Sequence, residues 1–462
     1  KTAYEISTRD WSSDVCSSDL NPSLNTSASW SYGNVPSSSG NSGSFRDLIL
    51  ESTVTNLTAS AGNIYGRSWN VTNGLSYSVN SVATPTGTSF QLGKLASTET
   101  SPFANNVSGN SDDLVFLTNG SRLTFLGTNP TAGATEGTVD LKSAGNFNIA
   151  SNSILEIGAV LGGTSTSYNI NKIGAGTLIL SRNNTFRGGT TLTEGTLQVT
   201  KPDALGTNGA SATLLGGVFE NTVDFDLGRT FTTPTTVNGL TFDKLDGIST
   251  LLQGPVTLKP SGTNTLTIYK ITGNMFIPYT VTKTGTGTLW LRGGTPTGFD
   301  QASWRVEQGT LLLGTSSSGA LGTNGLTMAG GDLRFSKGMG SSGTYSGQGM
   351  DVPLVVSADT TMTLDANPAT PTNANTVSFP SLTIGNQTIH VVKSATASSS
   401  LTGGGYTDPS MGFRSANLNG TATLDAGALT TIILQGATGT GGVTKTGSRS
   451  EEHTSELQSR VD

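Results

Sequence analysis

One block of this chain occurs twice in the same internal order, and that repetition limits the fold more than any other feature. Lys172 opens KIGAGTLILSRNNTFRGGTTLTEGTLQV, followed by Ala204-Leu205-Gly206-Thr207-Asn208-Gly209 and then Gly216-Gly217. Lys283 opens KTGTGTLWL, followed by Val306-Glu307-Gln308-Gly309-Thr310-Leu311-Leu312-Leu313, by Ala320-Leu321-Gly322-Thr323-Asn324-Gly325 and by Gly330-Gly331. The shared order is K-x-G-x-G-T-L, a G-T-L segment, A-L-G-T-N-G and G-G. A third copy opens at Lys445-Thr446-Gly447 and breaks off at Ser448, so the natural chain is expected to run on. Self-similarity of this kind marks stacked repeats, in which each unit is too small to bury its own apolar face.

The local pattern within each block is that of short strands. Thr177-Leu178-Ile179-Leu180 and Thr196-Leu197-Gln198-Val199 alternate so that Leu178, Leu180, Leu197 and Val199 share one face. The flanking glycines permit the positive φ that tight corners need. Four or five residues cannot make a core alone. Stacked rungs of roughly 20 residues, each adding ~4.8 Å, would join these leucines into continuous ladders.

The two ends have a different texture. Arg449 to Asp462 can be encoded by DNA whose reverse complement, read one base in, translates to Ser7 through Leu20. Both ends read as translated short-read library adaptor, and residues 1–20 and 449–462 are set aside from the fold. The only cysteine, Cys16, and one of the two histidines, His453, go with them. The basic count falls from 25 to 21 and the acidic count from 31 to 23, so the remaining net charge is −2 rather than −6. All 61 glycines stay.

That remainder excludes several classes. With charged residues at only 12% of the chain, it lacks the charge of a solvated disordered segment and the Glu, Lys and Ala density of a helical protein. It has no basic cluster for nucleic acid. No apolar run approaches the ~20 residues of a membrane helix. No genuine thiol remains for disulfide or nucleophilic chemistry, which suits an exported protein.

The blocks resemble the passenger-associated transport repeat, or autotransporter-associated β-strand repeat, whose pattern is K-x-G-x-G-T-L-x-L, N-x-[YF]-x-G-G-T and G-x-L-x-[VL]. Asn184-Thr185-Phe186-Arg187-Gly188-Gly189-Thr190 supplies the middle element in the first copy. The second copy departs there, with Gly293-Gly294-Thr295-Pro296-Thr297-Gly298-Phe299. The residues carrying the resemblance are Lys172, Gly174, Gly176, Leu178, Gly188, Gly189, Gly195 and Leu197, then Lys283, Gly285, Gly287, Leu289, Gly309 and Leu311. It implies an all-β, right-handed parallel β-helix over residues 166–448. It also implies a structural, display role outside the cell or on a bacterial surface, with a translocation or anchoring domain C-terminal to this stretch. Residues 21–165 are expected to form a less regular N-terminal cap or irregular solenoid. There Trp30-Ser31-Tyr32-Gly33-Asn34-Val35-Pro36 resembles a passenger opening, and Ile64, Trp69, Val71, Leu75, Tyr77 and Val79 keep a loose β pattern. Pro85 to Ser108 reads as a long exposed loop, and Asp112-Asp113 precedes a strand at Leu114–Leu117.

β-Solenoids also house polysaccharide-cleaving enzymes, which need two carboxylates about 5 to 9.5 Å apart. Asp224 with Asp226 on one strand face, and then Asp243 with Asp246, are the nearest candidates. Without a neighbouring Arg, Lys or His cluster they read as solvated outward positions. Alternation in Thr388-Ile389-His390-Val391-Val392 turns His390 outward, where it lacks metal-binding companions. Trp290, between Leu289 and Leu291, points outward and could stack on a sugar ring, whereas Trp69 and Trp304 are further apolar exceptions. No cofactor or metal site is expected. Surface glycans are the one ligand class the outward face suggests.

Overall fold

In the computed structural model the described residues are 15–16, 47–50, 56–59, 64–66, 68–71, 74–81, 89–92, 112–127, 137–206, 212–227, 235–237, 240–242, 250–252, 255–268, 271–273, 278–291, 302–313, 321, 324–335, 348–350, 352–364, 376–394, 410–428 and 430–447. Among them there is no helix. The chain winds as a parallel β-solenoid in two compact units, Lys1–Thr250 and Leu251–Asp462.

In the first unit, successive coils each lay one strand on each of two long sheets. Gly145–Ile149, Ile170–Ile173, Thr190–Leu192 and Ala212–Leu214 stack in parallel on one sheet. Ile154–Gly158, Thr177–Leu180, Thr196–Val199 and Val218–Asn221 stack on the next. A third, four-stranded sheet takes Ile64–Gly66, Ser89–Leu92, Thr138–Leu141 and Val160–Gly162. The register keeps the apolar parity: Leu123, Leu155, Leu178, Leu197 and Phe219 stand in one column, all fully buried. A hairpin, Thr235–Val237 with Leu240–Phe242, is antiparallel.

Coil length is uneven toward the N-terminus. Cross-coil partners are 47 residues apart at Gly74–Ser121 and 33 at Asp113–Asn146, but 20 at Asn184–Ala204. Trp69, Phe90 and Phe125 meet in these N-terminal coils, with Trp69 edge-on to Phe90 at 6.0 Å and to Phe125 at 5.1 Å. Ser89–Leu92 corrects the reading of Pro85 to Ser108 as an exposed loop, because the alternating Phe90 and Leu92 are wholly buried. Within residues 1–20, Val15–Cys16 pair with Ile49–Leu50 as a two-residue strand. The rest of that segment, residues 449–462 and the segment at Trp30 lie outside the described residues.

The second unit repeats the scheme. Val256–Pro260, Tyr279–Lys283, Ala302–Val306, Leu326–Met328, Leu354–Val356, Leu382–Ile384 and Ala416–Leu418 form one parallel sheet. Thr265–Ile268, Thr288–Leu291, Thr310–Leu313, Asp332–Phe335, Thr360–Leu364, Thr388–Lys393 and Thr421–Ala426 form another. Along the interior Phe335 meets Phe379 edge-on at 6.3 Å, and Phe379 stacks on Phe413 at 6.1 Å.

Candidate functional site

Both copies of the repeated block fold into the same corner, and its centre is a buried lysine. Strand Ile170–Ile173 alternates so that Ile170 and Lys172 point inward while Asn171 and Ile173 point out. Lys172 therefore occupies a core column between Phe147 and Leu192 and is 0% exposed. Its chain bends to the corner, where Nζ donates to three backbone carbonyls: Ile173 at 3.0 Å, Gly174 at 2.5 Å and Glu194 of the next coil at 3.1 Å. An ammonium has three donors, so the ring of carbonyls satisfies it completely.

The second copy reproduces this arrangement. Lys283, also 0% exposed, stands between Leu258 and Val306. Its Nζ donates to Thr284 and Gly285 at 2.8 Å and to Gln308 of the next coil at 2.7 Å. Glu194 and Gln308 occupy equivalent places, each just before a glycine. Those glycines, Gly195 and Gly309, have φ of 73° and 66°. A Cβ on Gly195 would lie 2.7 Å from Lys172 Nζ and would collide with the carbonyls of Gly174 and Gly176; a Cβ on Gly309 would likewise lie 2.8 Å from Lys283 Nζ. Only glycine brings the next coil this close.

Burial dominates the electrostatics. Dehydration pulls the Lys172 ammonium down to about 8, opposed by the nearby Glu194 carboxylate, and pulls Lys283 down to about 7.

A second buried polar side chain stitches the first copy. Asn184 Oδ1 accepts from the Leu161 amide of the preceding coil at 2.9 Å, and Nδ2 donates to the Ala204 carbonyl of the following coil at 2.6 Å. Phe186 is buried beside it. Gly188 leaves no room for a side chain against the Tyr168 carbonyl, and the Gly189 amide donates to Asn169 Oδ1 at 2.6 Å. Gly176 and Gly287 pass tightly over the Ala150 and Asn264 carbonyls. Leu178, Leu180, Leu197, Val199, Leu289, Leu291, Leu311 and Leu313 are all buried. Lys445 sits exposed in strand Gly442–Gly447, opposite Leu424. The middle element of the second copy, 293–299, lies outside the described residues.

Of the carboxylate candidates, Asp224 is exposed and precedes strand Phe225–Leu227, in which Asp226 lies. Asp243, Asp246 and the Asp226 side chain lie outside the described residues. His390 does face outward, but it is not alone: Nδ1 lies 2.8 Å from Asp425 Oδ2 on the adjoining strand, directly in register. The partner is 35 residues away, so the local pattern carried no trace of it. Trp290 is outward yet mostly covered, its indole nitrogen included, which leaves less ring for a sugar than the pattern implied. Trp69 and Trp304 are 1% exposed and belong to the core. Among the described residues no group of three or more His, Cys, Asp or Glu side chains could hold a metal ion.

Residues 170–199, the stretch holding Lys172, Asn184 and Gly195, match the passenger-associated-transport-repeat family. The chain is 33% identical over 202 residues to a protein named adhesin BmaC autotransporter, from Brucella suis biovar 1 (strain 1330). The match covers 41% of this chain and 5% of that relative's length. No solved structure matches.

Proposed function

We propose that this stretch is a stalk of an autotransporter-like passenger, exposed at a bacterial surface or released from it, and that it extends or displays other parts of its protein without catalysing a reaction. The observation that carries this reading is the interior. Column after column of Leu, Ile, Val and Phe fills the coils, and the buried Lys172, Lys283 and Asn184 bond to backbone of neighbouring coils rather than opening toward a substrate. Catalysis requires groups converging at hydrogen-bonding distance in a concave site. The interior chemistry serves stacking instead.

Two assays test it. An epitope placed before residue 21, in a fusion to a translocating barrel, is expected to become antibody-accessible on intact cells; failure to surface despite a folded chain would overturn the stalk. Purified protein is expected to release no reducing ends from pectin, alginate or other acidic glycans. Turnover that disappears in Asp224→Asn with Asp226→Asn would reassign the chain as an enzyme.

A second reading, an adhesin, is favoured by the similarity to the Brucella adhesin. The outward column Trp290, Leu312, Arg334 and Thr363 is the surface it would use. Specific glycan-array binding lost in Trp290→Ala would establish it.

A further inference from the structure

The strands of this solenoid are nearly interchangeable. Thr177-Leu178-Ile179-Leu180 pairs with Thr196-Leu197-Gln198-Val199, Leu178 opposite Leu197 and Leu180 opposite Val199. A slip of one residue would throw the leucines into water and is forbidden by hydrophobicity. A slip of two is not. It would set Leu180 against Leu197 with the inward parity intact, and the core would lose little. Thr288-Leu289-Trp290-Leu291 against Thr310-Leu311-Leu312-Leu313 presents the same ambiguity. Apolar alternation therefore leaves the register of these coils open to even-numbered errors.

We propose that Lys172 and Lys283 are register keys, which make each correct coil-on-coil register distinguishable from its two-residue slip. Each ammonium is held in a core column and takes two carbonyls from its own corner, so those two travel with it in any register. The third carbonyl, Glu194 or Gln308, belongs to the next coil and stands in reach in one register. Slipping by two residues moves it by ~6.6 Å along the strand and removes Gly195 or Gly309 from over the Nζ. The side chain brought there would collide with the ammonium and the corner carbonyls. A buried ammonium with an unmet donor is far costlier than a misplaced methyl group. The lysine thus acts by penalising the wrong pairing more than by strengthening the right one, as single buried polar groups do in coiled-coil registers.

The test uses the full chain with Cys16→Ser and two alternative cysteine pairs at outward positions. Ile179→Cys with Gln198→Cys reports the native register, in which these residues are opposite; Ile179→Cys with Thr196→Cys reports the two-residue slip. With Lys172 present, oxidation is expected to crosslink the first pair and leave the second reduced. In Lys172→Met, which keeps the apolar stem, the protein is expected to fold while the second pair, reduced in the parent, now crosslinks alongside the first. Trp290→Cys with Leu312→Cys or Thr310→Cys asks the same of Lys283→Met. A Lys172→Met protein that crosslinks only the native pair would show that other contacts fix the register. One that fails to fold would show that the lysine holds the coils together rather than selecting their alignment. Either result overturns the proposal.

Discussion

Glu194 and Gln308 occupy equivalent places in the two corners, and the difference of one charge has a measurable consequence. Glu194 is the one influence holding Lys172 up against dehydration, and Lys283 has no counterpart. Glu194→Gln is therefore expected to move the Lys172 titration from about 8 toward the value of about 7 at Lys283, read from side-chain NMR shifts. The stability consequence has a definite sign. From pH 7 upward the unfolded chain keeps the Lys283 proton that the folded corner releases, until the ordinary lysine range near ~10.4 is passed. The unfolded state binds more protons in that window, so its Lys283 contribution to folding stability rises with pH there. Local unfolding of the Lys283 corner should accordingly grow harder between pH 7 and 10, and Lys283→Met should flatten that slope. The His390–Asp425 pair offers a contrast. Its side chains are 45% and 30% exposed, and solvent screens such pairs to ~1 kcal/mol or less, so Asp425→Asn should barely change the melting temperature.

At the scale of a strand, burial is uniform enough that a single truncation should behave like a core defect. Leu197 is 0% exposed, between Leu178 and Phe219 in adjoining coils. Leu197→Ala is expected to cost roughly 2 to 5 kcal/mol by leaving a cavity between rungs, measured as lost protection of the flanking amides in hydrogen exchange. Protection unchanged within error would mean that the coils close over the gap. These strands were legible beforehand because alternation needs only neighbouring residues: Thr177–Leu180, Thr196–Val199 and the inward leucines can be read directly from the sequence. Ser89–Leu92 was obscured by the polar, proline-containing segment around it, although Phe90 and Leu92 carry the same alternation. The bulge at Leu114, where Asp113 pairs with Asn146 but Val115 with Phe147, depends on the partner strand and had no local signature.

Over the whole molecule, the adaptor reading of the ends makes its own prediction. Deleting residues 1–20 and 449–462 should change stability by no more than about 0.5 kcal/mol, the range of inert surface changes. The described contact at stake is the Val15–Cys16 pairing with Ile49–Leu50. A loss of several kcal/mol on thermal unfolding would show that the ends have been recruited into the fold. The amino-acid order by itself determined the solenoid class, the strand parity and the corner glycines, because period, alternation and backbone freedom are properties of residues close together in the chain. It also marked Lys172 and Lys283 as recurrent without saying why. Only the stacked coils decided that both lysines turn inward onto carbonyls of the following coil, that Asn184 bridges its two neighbours and that His390 meets Asp425. Those partners lie 20 to 35 residues away, and many are backbone carbonyls, which every residue possesses. A group common to all residues leaves no mark in the sequence, so its role appears only when folding sets one coil upon another.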